Sequence, residues 1–164
     1  MGEAIIAAVA ILQYLEDTEH RETTHIASIS RIDEDKYVWL DKFTIRNLEL
    51  VYAQNDGIPL IEILDATETP MGSRMLKKWM VLPLKEVSII AERHRIVEAF
   101  YADNELLETT RGSLKQIGDL ERLISKVAVG RINPREMIQL KKAMYNTKPI
   151  YDQLIHHPLA DIKK

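Results

Sequence analysis

The stretch ATETPMGSRMLKKWMVLPL, residues 66–84, reads as a helix that carries two residues normally harmful to helices, Pro70 and Gly72. Thr69 can accept a hydrogen bond from the first-turn amides as an N-cap. Pro70 then falls at the first helical position, where its missing N–H would have had no intrahelical partner. Proline is a start signal here. At about 100° per residue, Met75 and Trp79 lie to one side of Gly72 and Leu76 and Met80 to the other, so the glycine sits in the apolar face. Arg74, Lys77 and Lys78 fall on the opposite arc, which separates a greasy side from a basic one. A residue without Cβ among large apolar neighbours leaves a notch. The expectation is that a neighbouring segment crosses the helix at Gly72.

The same helical reading extends in both directions. Downstream, residues 85–104 repeat Val87, Ile90, Ala91, His94, Val97 and Tyr101 at helical spacing. Residues 105–117 and 118–130 follow, the first interrupted by Gly112, which argues against an unbroken helix. Gly130 closes a helix, and the next begins with the strongest start signal in the chain: Asn133 as cap, Pro134 at the first helical position and Glu136 three residues after the cap. Upstream, residues 43–54 read as helix, Asn55-Asp56-Gly57 as its stop, and Pro59 as the opening of a short helix. Residues 25–32 and 36–41, rich in β-branched and aromatic side chains, flank the acidic turn at Asp33, Glu34 and Asp35 and predict a small β-hairpin near residues 25–41. The first helix, about residues 3–19, is apolar on nearly all sides, a pattern that calls for neighbours all round. The fold class expected is mainly α, a multi-helix bundle with that one hairpin.

The bulk numbers narrow the chemistry. A chain of 164 residues fits one domain and would bury roughly 70% of its unfolded surface if it formed a compact globule. Twenty-two basic against 25 acidic residues give a formal charge of −3, so any contact with nucleic acid needs a local patch. Arg74, Lys77 and Lys78 are the candidate DNA-facing residues, with Arg93, Arg95, Lys141 and Lys142 as further members if the fold gathers them. The absence of cysteine excludes disulfides, thiol nucleophiles and thiolate metal sites. His20, His25, His94, His156 and His157 form no His-Glu-x-x-His pair, so no metal site is expected. Gly72-Ser73-Arg74 could hold a phosphate at a helix start, but no complete phosphate loop occurs anywhere, and the helix-start reading is preferred. No catalytic, cofactor or metal residues are assigned. Residues 4–15, the most apolar run, cover about half a bilayer span. Position 6 is Ile where a myristoylation motif needs Ser or Thr. Met1 and Gly2 read as residues appended to a piece that begins inside a larger gene.

The segments AAVAILQYLEDTE (7–19), HIASISRI (25–32), RNLEL (46–50), LDATETPMGSRMLKKWMVLPL (64–84) and IGDLERLISKVAVGRINPRE (117–136) come in the order and at the distances found in one family. They resemble the core (lever) domain of the MutS family of DNA mismatch-repair ATPases, over roughly residues 7–155. The stretch DEDKYVWLDKFT departs from the family in being more aromatic. The resemblance implies that residues 3–164 are the first segment of that core domain, without the clamp, the ATPase domain or the mismatch-probing domain. It implies a non-catalytic structural and coupling role in a cytoplasmic parent protein. The parent would be a homodimeric ATPase using ATP and Mg, acting on mismatched duplex DNA and meeting a MutL-class partner. A helical module that itself grips DNA, or a relative acting in recombination, are the alternatives. Thr69, Pro70, Gly72, Trp79, Asn133 and Pro134 are expected to be architectural, and the missing remainder of the core implies exposed apolar surface.

Overall fold

The structure is a computed structural model that describes residues 2–18 and 35–155. Its helices are α1 (Gly2–Asp17), α2 (Lys42–Asn47), α3 (Leu60–Leu64), α4 (Pro70–Val81), α5 (Val87–Ala102), α6 (Asn104–Leu114), α7 (Leu120–Ala128) and α8 (Pro134–Ile155). Close helix packing runs from α5 to α6, from α6 to α8 and from α7 to α8. The pair α6 and α8 holds the largest group of buried side chains among the described residues, Leu106 and Thr110 on one and Leu140 and Ala143 on the other. Ile117, in the turn after α6, is buried too. A second small cluster lies ahead of α4, where Val51, Pro59 and Ile61 are buried.

That second cluster exists because α2 is shorter than its sequence suggests. The helix expected over residues 43–54 stops at Asn47, and Glu49 takes a left-handed backbone conformation, φ 49°. The Leu50 N–H donates back to the Ile45 carbonyl at 3.3 Å and the Glu49 N–H to the Arg46 carbonyl at 3.1 Å, a Schellman ending with Glu in the place glycine usually takes. The chain then doubles back: the Glu49 and Leu50 carbonyls accept from Leu60 and Ile61 at 2.9 and 3.0 Å. Val51 is folded inward by that reversal.

The hairpin is also corrected. Residues 25–34 lie outside the described residues, and residues 35–41 form no strand of a sheet; among the described residues there is only the isolated antiparallel bridge between Tyr37 and Leu84. The Val38 N–H donates to the Pro83 carbonyl at 2.7 Å and the Lys85 N–H to the Lys36 carbonyl at 3.0 Å. The β-prone stretch thus pairs with the chain leaving α4, because a backbone donor is satisfied equally well by a distant carbonyl.

Three further readings change. The Gly112 break does not occur, since α6 runs through it and a Cβ there would meet nothing. The inward face of α5 is also rotated. Val87, Val97 and Tyr101 are exposed, and the half-buried residues include Ile89, Ile90, Ile96 and Phe100. Finally, the accessible surface of 13024 Å² is far above the roughly 8300 Å² of a compact protein of this mass. The chain does not bury the share that its length alone would allow.

Candidate functional site

The start of α4 is built from its lead-in turn. The Asp65 carboxylate accepts from the Thr67 N–H at 3.0 Å, the Thr67 hydroxyl at 2.6 Å and the Ser73 hydroxyl. Those donors, Ser73 first and then Thr67, hold the Asp65 carboxyl below its usual range. The Thr69 hydroxyl accepts from the Gly72 N–H at 3.0 Å, with Pro70 in the first turn. A Cβ on Gly72 would sit 3.2 Å from both the Thr67 Cβ and the Thr69 Oγ1. The close approach expected at Gly72 is therefore made by side chains of the lead-in turn and not by the backbone of a separate element.

Arg74 joins this helix start to α7. Its guanidinium donates to both Asp119 carboxylate oxygens, Nη1 to Oδ2 at 2.9 Å and Nη2 to Oδ1 at 2.7 Å. Glu121 Oε2 accepts from Nε at 3.1 Å and from Nη2 at 2.6 Å. Asp119 serves α7 as well, accepting the Arg122 N–H at 3.3 Å as its N-cap. The Arg74 guanidinium, ahead of the Arg122 amide, lowers the Asp119 carboxyl below its ordinary value. Planar two-point pairing of this kind is among the stronger charge-assisted contacts.

The far end of α7 is fixed to α8 in the same manner. Gly130 has φ +65°, the Gly130 N–H donates to the Val127 carbonyl at 3.0 Å, and the Arg131 N–H to the Lys126 carbonyl at 2.9 Å. Both bonds of a Schellman ending are present, and the conformation is one that glycine adopts without steric cost. Three residues on, the Asn133 side-chain oxygen accepts the Glu136 N–H at 2.9 Å while Glu136 accepts the Asn133 N–H at 3.2 Å, a complete capping box with Pro134 inside it. Lys126 also pairs with Glu136, and that contact, followed by the Asn133 amide, keeps the Glu136 carboxyl low.

The remaining candidates are dispersed. Trp79 lies under the Arg93 guanidinium, 3.7 Å from the ring centroid, and Lys77 stands 5.9 Å from the Tyr52 ring. Lys78 is exposed. The basic set does not act as one patch, because Arg74 is bound to two carboxylates and Arg93 is stacked on an indole. Among the described residues no group of three His, Asp or Glu side chains could hold a metal ion, and none of the helices is long and apolar enough to cross a membrane. His20, His25, His156 and His157 lie outside the described residues. Sequence reading missed Asp119 and Glu121. The available signal was Gly118-Asp119-Leu120-Glu121, a cap residue with an acid in the first turn.

What these residues form is a series of joints, α4 to α7 and α7 to α8, made from caps and ion pairs; the class defined is a mainly helical domain. The profile of MutS domain III matches residues 43–164. The chain is 59% identical over 155 residues to the DNA mismatch repair protein MutS of Cytophaga hutchinsonii, covering 94% of this chain and 18% of that protein. It is 53% identical to the protein of the same name from Bacteroides thetaiotaomicron over 165 residues, and 49% identical to that of Flavobacterium psychrophilum over 164 residues. Those alignments cover 100% and 99% of this chain and 19% of each relative. The chain belongs to the MutS family of DNA mismatch repair proteins, with its domain III as the matching part. It spans about a fifth of the length of these relatives.

Proposed function

We propose that the chain is the first segment of the core (lever) domain of a longer MutS protein, and that it carries rearrangement between the nucleotide-binding and DNA-gripping parts of that protein. The observation that carries this reading is the unbroken series of polar joints from the lead-in turn of α4 through Arg74, Asp119, Lys126 and Glu136 to the start of α8. Helices joined end to end can transmit a displacement that loosely packed ones would absorb. The large exposed surface and the apolar side chains of α1 support a segment made to be covered by the rest of a parent protein. In this reading ATP and Mg belong to another domain of the parent, a homodimer of the cytoplasm that engages mismatched duplex DNA and a MutL-class partner. This segment itself performs no catalysis.

The relatives' names favour mismatch repair over recombination. Direct DNA gripping by Arg74, Lys77 and Lys78 is weakened by the occupation of Arg74. The test is made in the parent protein. Lys126→Ala, which opens the joint between α7 and α8, should leave ATP turnover without DNA within about twofold of the unaltered protein, while the nucleotide-driven change in affinity for mismatched DNA falls about tenfold. Equal nucleotide response in both proteins would remove the reading.

A further inference from the structure

The closely packed helix pairs among the described residues all lie within α5 to α8, and α4 belongs to none of them. Its attachment to α7 is instead the Arg74 fork. Met71 of α4 also lines an apolar groove of about 450 Å³ with Leu114, Ile117, Leu120, Ile150 and Leu154. The indole of Trp79 under Arg93 ties the other end of α4 to α5 through a stacked contact, which tolerates sliding better than interlocked packing.

We propose that the Arg74 contact with Asp119 and Glu121 is a latch: closed, it fixes α4 on the first turn of α7, and open, it lets α4 and its lead-in turn shift against α5–α8 with both helices intact. The proposal deepens the coupling reading and rests on it for its role in the parent. Three features favour a latch over a permanent brace. First, each helix has its own cap: Thr69 accepts from the Gly72 N–H at α4, and Asp119 accepts from the Arg122 N–H at α7, bonds made within each helix's own first turn. Opening therefore leaves no helix start bare. Second, the side chains of Arg74 and Glu121 are 50% and 61% exposed and that of Asp119 is 22% exposed, so on opening none of the three charges is left fully buried, and the heavy cost that follows the splitting of a buried pair does not arise. Third, the closed state is directional, because two carboxylates on one turn of α7 meet the flat guanidinium on two edges. Such a contact is either made in register or lost, which is the behaviour expected of a two-state element.

The absence of cysteine makes the experiment direct. Lys78→Cys and Lys142→Cys place single spin labels on exposed positions of α4 and α8, and the distance distribution between them is measured in this 164-residue chain. A narrow distribution is expected with Arg74 in place. Arg74→Ala should broaden it about twofold or add a second population, with helical circular dichroism unchanged. Asp119→Asn keeps a good N-cap and removes the charge, and should give the same broadening. Arg74→Lys, which keeps charge without the fork, should fall between. An unchanged distribution in Arg74→Ala overturns the latch. So does a loss of helical signal in both Arg74→Ala and Asp119→Asn, since the contact would then be part of the fold itself. A broadened distribution combined with an undiminished nucleotide response of the Arg74→Ala parent would keep the latch and remove the coupling reading.

Discussion

α1 and α4 have the same starting material and different fates. Both are rich in apolar residues, and neither contains a fully buried one. Yet α4 has its start fixed by Thr69, Asp65 and Arg74, while the side-chain bonds within α1 itself are local, Gln13 to Asp17 and Thr18 to the Tyr14 carbonyl. On α1, Ile6 is 70% and Ile11 61% exposed. The difference teaches that apolar content alone does not position a helix in this chain. Where the core is small, a helix acquires a definite place from polar contacts at its ends, each worth little in energy but restrictive in geometry.

The largest test of that contrast sets the real core against α1. Leu106→Ala, in the α6–α8 pair, should cost about 2–5 kcal/mol in chemical denaturation, whereas Ile6→Ala on α1 should stay within about 0.5 kcal/mol. Next comes the notch of α4. Gly72→Leu would press on Thr67 and Thr69 and should cost about 1–3 kcal/mol; an unchanged melting temperature would show that the lead-in turn yields freely. Removing the cap should be milder: Thr69→Ala is expected to cost about 1 kcal/mol, read from the same denaturation curves.

A smaller effect of opposite sign is expected at Thr110, whose buried hydroxyl finds no partner. Thr110→Val keeps the shape and removes the unsatisfied group, so stability should rise by about 0.5–1 kcal/mol. The smallest effect is that of pH. Asp65, Asp119 and Glu136 all have folded-state values below their ordinary ones, so each contributes stability that is present above its unfolded value and is lost as pH falls through the lowered, folded one. Melting temperature should therefore be flat near neutrality and drop below about pH 4, with the drop reduced in Asp119→Asn. These carboxylates are only half-buried, so solvent screening keeps the change slight.

What could be read in the sequence was what a chain decides within four residues. The Thr69 cap with Pro70, the Gly130 ending and the Asn133–Glu136 box are all local hydrogen-bond arrangements, and each has a residue type that names it. The helical span of α5 followed from periodicity and the start of α8 from its cap, although the buried side of α5 did not, because Val87, Val97 and Tyr101 are as apolar as the residues that turn inward. Contacts over long separation were invisible. Arg74 and Asp119 are 45 residues apart, and nothing in a basic arc on a helix distinguishes a wet face from one half of a clamp. The Tyr37–Leu84 bridge was lost for the same reason: a β-prone stretch declares that it will pair, not with what. The end of α2 was hidden because Glu49 occupies a conformation that usually announces itself with glycine or asparagine.

Hydrogen exchange followed residue by residue in the dilute chain compares the two helices most directly. If polar contacts at helix ends give α4 its place, its amides from Ser73 onward should exchange much more slowly than those of α1, which should lie close to unprotected rates because an isolated helix of this length is marginal in water. Protection of α1 equal to that of α4 at high dilution would contradict the account, since a helix with largely exposed side chains would then be held as firmly as one with both ends tied.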